Sequence, residues 1–157
     1  MNDTVEEILA DLAAAMTTNI TTYYQGYVTL PPKHALPCLQ VYGITTTQTA
    51  KSTAKDQAVY VIGIRIVVDV TSKFTTAGTG VIIKAQKDII DLMEERSTGG
   101  IAVADSVLGT LRRNIKGTDY LFNNDVEINY ETIEKDGFFY SVAEMRLRAV
   151  TDLVLRQ

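Results

Sequence analysis

Residues 57–71, QAVYVIGIRIVVDVT, constrain the fold of this chain more than any other stretch. They alternate strictly, and strand side chains point to opposite faces with period two. One face reads Ala58, Tyr60, Ile62, Ile64, Ile66, Val68, Val70, apolar throughout. It must be buried. The other reads Val59, Val61, Gly63, Arg65, Val67, Asp69 and changes from apolar to mixed. At about 3.3 Å per residue, such a strand would span roughly 50 Å, while common strands have about five or six residues. It must bend or project. We expect its first half to be buried on both sides and its second half, at Arg65 and Asp69, to be wet or ion-paired.

A second strand of the same kind closes the chain. Residues 124–134 alternate Val126, Ile128, Tyr130, Thr132, and Asp136-Gly137 supplies a strong hairpin turn signal. Residues 138–152 then return. Phe139, Ser141, Ala143, Met145, Leu147 and Ala149 share one face, with Arg146 and Arg148 on the other. Their nearest expected partners are Glu127 or Glu131 across the hairpin, with a subunit contact or a DNA phosphate as other readings.

Between these strands the signals are helical. Thr4-x-x-Glu7 has the form of a capping box, and Val5, Ile8, Leu9, Leu12 and Met16 follow at helical spacing. The first helix is read as residues 4–18. A second is read as 81–96, with Ile82, Ala85, Ile89, Leu92 and Met93 as its apolar stripe and residues 97–100, STGG, as its stop. Residues 104–114 are read as a short helix, although Val107, Gly109 and Leu111 also alternate. Residues 116–119 are read as a turn. Residues 26–37 hold every proline and form a loop leading into a short strand at 38–44. Two polar loops flank the long strand, 45–56 and 72–80, the first a flexible hairpin loop or a segment that orders against a neighbour. The order is α-β-β-α-(α)-β-β, and the fold class α+β: a four-stranded, mostly antiparallel sheet with helices packed on one face, in a single domain over 1–157.

The chemistry of catalysis is thinly written. His34 is the only histidine and Cys38 the only cysteine, so a Ser-His-Asp set could run only through His34, and no intrachain disulfide can form. His34 and Cys38 together make no metal site. Gly78-Thr79-Gly80 lacks the rest of a phosphate loop. Net charge is −4, without the basic excess of a nucleic-acid binder. The N-terminus lacks a basic, apolar leader, and no apolar run is long enough to span a bilayer. The expectation is a soluble, non-enzymatic protein with no cofactor, no metal and no membrane.

Taken in order, Leu36-Pro37-Cys38-Leu39-Gln40-Val41, the Val/Ile-rich run 60–70, the helical run 82–93, Asp105-Ser106-Val107-Leu108-Gly109-Thr110-Leu111 and the closing strand 140–150 resemble the tail terminator proteins of long-tailed bacteriophages. The resemblance is one of pattern over nearly the whole chain; related neck and head-completion proteins share it. It implies a structural virion protein, assembled in the host cytoplasm, whose six copies form a ring. The ring would cap the tail tube, end tube polymerisation and join the tail to the head connector. Its implied partners are further copies of itself, the tail tube protein, the connector or neck protein and, in contractile tails, the sheath. DNA would pass through the channel without specific binding, which suits the mildly acidic balance. The residues expected at subunit or tube contacts are Thr47, Lys51, Lys55, Arg65, Asp69, Arg146 and Arg148. The competing reading is a small non-enzymatic ligand-binding α+β module, with its pocket under the first or second helix.

Overall fold

The computed structural model describes residues 1–51, 55–94, 105–113, 121–122 and 126–154. The expected stop at 97–100, the turn at 116–119 and the start of the last hairpin at 124–125 lie outside them. The chain is α+β. Its described elements run α1 (Asn2–Ala15), β1 (Thr22–Gln25), a 3-10 turn (Lys33–Ala35), β2 (Cys38–Ala50), β3 (Lys55–Asp69), α2 (Thr71–Thr75), α3 (Lys87–Glu94), α4 (Val107–Arg113), β4 (Leu121–Phe122), β5 (Glu127–Lys135) and β6 (Phe138–Val154).

The sheet has six strands rather than the expected four, in the order β1-β2-β3-β6-β4, with β5 also paired to β6. It is mixed, because β1 lies parallel to β2 while the other pairs are antiparallel. The two long strands form its centre. β3 has 15 residues and pairs with the 17-residue β6 from Lys55 opposite Val154 to Asp69 opposite Tyr140.

The uniformly apolar face of β3 is buried along its whole length, from Ala58 to Val70, and meets Ala143, Met145, Leu147 and Ala149 of β6. Val5, Ile8 and Leu12 of α1 with Met16 at its C-terminal cap, Ile89 and Met93 of α3, and Val107, Leu108 and Leu111 of α4 cover it. Each such side chain contributes about 1.5–3 kcal/mol on burial. The opposite face carries a smaller core of Cys38, Val67, Tyr140 and Val142, packed by Leu30 and Leu36 of the proline-rich loop. Helices therefore cover one face and a loop covers part of the other.

Several boundaries differ from expectation. α1 starts at Asn2 with Met1 at its N-cap, no side chain caps it, and Thr4 is buried inside it. Thr4 faces the core, so it cannot serve as the cap. The helix ends at Ala15 where the β-branched Thr17 and Thr18 begin. The second helix occupies only Lys87–Glu94. Val81, Ile82 and Ile83 are poor helix formers, follow Gly80 at φ +75°, and stay outside it, with Ile82 exposed at 82%. Ala85 lies outside too: its carbonyl accepts the Ser141 hydroxyl at 3.1 Å. Thr71–Thr75 makes one helical turn at the start of the expected loop 72–80. Most of the expected loop 45–56 is strand: β2 continues to Ala50, and β3 begins at Lys55. Absence of large apolar residues ruled out a core role there but not pairing, since ladder hydrogen bonds need none and threonine favours strands.

Candidate functional site

One part of the sheet left open to contacts is the far half of β2. A bulge at Ile44 shifts the register between Gly43 and Thr45, after which Thr45 to Ala50 pair with Val61 to Asp56. From Gly43 onward every residue of β2 is exposed, while its neighbours Ala58 and Tyr60 on β3 remain buried. β1 pairs only with Cys38–Val41, so the outer edge of β2 is unpaired beyond that point among the described residues.

On the face opposite the helices, register places Thr45 beside Val61 and Val61 beside Arg148. Thr47 stands beside Val59, and Val59 beside Val150. Val59 and Val61 are half-buried, not enclosed on both sides. Lys51 is exposed just past the end of β2 and Lys55 opens β3. Thr47, Lys51, Lys55 and Arg148 thus gather at one end of the sheet. Asp69 ends the same strand, about 46 Å away along it.

Arg65 departs from expectation. It is 3% exposed, and its Nη1 donates to the carbonyls of Val28 and Thr29, each at 2.9 Å. Its guanidinium stands 5.1 Å over the Tyr27 ring. Cross-strand from it, Gln40 is also buried; its Oε1 accepts the Val28 amide at 2.9 Å and its Nε2 donates to the Val28 carbonyl at 3.0 Å. Arg65 and Gln40 pin the proline-rich loop to the sheet from beneath. Arg65, expected to be wet or ion-paired, is enclosed instead, and it is no surface contact in this chain. Gln40 went unnoticed in the sequence. The signal was present: Gln40 stands between Leu39 and Val41, and Arg65 between Ile64 and Ile66, each a polar residue inside an apolar stretch of strand.

Asp69 is ion-paired, as expected, to Lys33 at 3.3 Å. Burial raises its carboxyl pKa, but bonds from the Thr71 hydroxyl and amide and the Lys33 ammonium outweigh that and hold it below the usual value. Arg146 is exposed and bonds Glu144 on its own strand at 3.0 Å, which raises its pKa. The hairpin register also sets it opposite Glu127, one of the two acids expected. Tyr42 lies next to this group. Burial, then the Glu144 carboxylate, push its phenol well above the ordinary tyrosine value. Tyr27 packs edge-on against Tyr42, with ring centroids 5.2 Å apart.

Among the described residues, no three His, Cys, Asp or Glu side chains converge as a metal site would require. No helix of the described residues is long and apolar enough to cross a membrane. No protein-family model matches the chain, and no curated protein matches it. An open groove of about 450 Å³ lies against Ile83 in the segment before α3, Ile90 of α3 and Thr132 of β5.

Proposed function

We propose that this chain is a structural protein that assembles with copies of itself into a hexameric ring, capping the tail tube of a long-tailed bacteriophage. In that role it ends tube polymerisation and joins the tail to the head connector, while DNA passes through the ring. The observation that carries the reading is the far half of β2. It extends past its parallel neighbour with a continuous exposed edge, a shape suited to continuing the sheet into another subunit. The exposed basic residues at that end, Lys51 and Arg148, supply charged contacts around it.

The test is electron microscopy of the purified chain, alone and mixed with tail tube protein. Rings, or tubes whose growth stops at one decorated end, are the expected result. A particle that stays monomeric and never decorates tube ends would exclude the role. Thermal stabilisation by a small ligand would favour the binding-module reading instead.

A further inference from the structure

The sheet ends in two outer edges that are treated differently. β5 carries Glu127, Glu131, Glu134 and Lys135, so two β5 edges brought together would set acids against acids, whereas an uncharged edge would not. The far half of β2 reads Ile44-Thr45-Thr46-Thr47-Gln48-Thr49-Ala50. It has high strand propensity, no charge and no proline, so it raises no such repulsion. Both edges are unpaired on their outer sides among the described residues.

We infer that the far half of β2 pairs antiparallel with the β5 edge of a second copy of this chain. The inference rests on the self-assembly proposed above and names the contact that produces it. Three features select this occupant. Strands β5, β6, β3 and β2 alternate in direction, so repeating the sheet sets β5 of the next copy antiparallel to β2 of the first. The lengths are close: β5 has nine residues, and the stretch of β2 at 44–50 is shorter by one residue at each end. One charged pair also fits. Centring one strand on the other puts Thr47 opposite Glu131 and Lys51 opposite Glu127, all in the alternation phase of the face opposite the helices.

The contact is head-to-tail, since two different edges meet, and such contacts close into rings when the rotation permits. Glu131 stands level with Val67 through Val142, whereas Thr47 stands level with Val59. Successive copies therefore step along the strand by about eight residues, roughly 26 Å. A stagger of this kind tilts strands against the axis of a closed assembly.

The test uses cysteine pairs in the full chain. Cys38 is fully buried and is the only cysteine, so it does not compete. Thr47→Cys and Glu131→Cys variants are purified separately, mixed and oxidised, with Thr45→Cys and Thr49→Cys covering registers shifted by two. Covalent dimer should form in the mixture and not in either variant alone. Dimer from Thr47→Cys alone would mean that β2 pairs with its own copy, and overturns the inference. Assemblies seen by sedimentation with no cross-link at any register also overturn it, yet leave the ring reading standing. A chain that remains monomeric even on tube ends removes both. Lys51→Glu should weaken association at least tenfold, and Glu127→Lys in the same chain should restore part of it. Equal weakening by the single and double changes counts against the register.

Discussion

The ring of Tyr42 lies across the backbone of Gly63, so close that a β-carbon at Gly63 would sit 2.5 Å from its Cζ atom. The two are cross-strand partners in the β2–β3 ladder. Tyr42 is held in turn by Tyr27 and by the Glu144 carboxylate. Only a residue without a side chain lets this stack lie flat on the sheet.

Gly63→Ala should therefore destabilise the fold by about 1–3 kcal/mol, the usual cost of overpacking. Tyr42→Ala in the same chain should recover part of that loss, because it removes the atom being struck. Urea unfolding of the two single variants and the double variant measures the coupling. Strictly additive losses would show that the contact is not the cause.

Arg65 supplies two charge-assisted bonds to the 26–37 loop from a buried position. Bonds to charged groups contribute about 1.5–3 kcal/mol each. Arg65→Glu should lower the thermal midpoint strongly and expose the loop to proteolysis, whatever the state of assembly. An Arg65→Glu chain that melts like the parent but fails to assemble would reverse this assignment.

Tyr130 and Tyr42 contribute to the alkaline limb of stability. Tyr130 is pushed above its ordinary pKa by burial, then by Glu94, to which its hydroxyl donates at 2.6 Å; Tyr42 is raised similarly beside Glu144. A raised folded-state pKa gives stability that is present below the unfolded value, about 10, and lost as pH rises beyond it. Stability should fall steeply above about pH 10, and Tyr130→Phe should flatten that fall. Spectrophotometric titration should show late-ionising phenols that titrate normally in denaturant.

Asp69 works in the opposite direction. Its lowered pKa gives stability that is present above the unfolded value, about 3.9, and lost as pH falls through the folded one. Asp69→Asn should remove part of the acid-limb dependence below about pH 5. Parallel acid limbs in the two proteins would discount the Lys33 and Thr71 contacts.

Ile82 and Ile89 test the shortened helix. Ile89→Ala should cost about 2–5 kcal/mol as a core truncation. Ile82→Ser, at an exposed site, should stay within about 0.5 kcal/mol. Chemical denaturation separates the two, and a large loss at Ile82 would restore the longer helix.

Alternation alone determined the two long strands and the buried face from Ala58 to Val70, since a side chain's face follows from its parity along a strand, and helical spacing completed the α+β class. Helical spacing likewise identified Ile8, Leu12, Ile89 and Met93 as core. What parity cannot decide is what covers the second face. There the proline-rich loop folds over Val67 and Cys38, and Arg65, expected to be wet or ion-paired, becomes with Gln40 a buried anchor for its backbone. Nor could residues 45–50 be read as strand, because their order comes from backbone pairing with residues 56–61 and not from their own side chains. The fate of Arg65, expected on the surface and found beneath a loop, shows the physical reason. Local pattern reports which way a side chain points, and only the tertiary structure decides whether water or another segment of chain is waiting there.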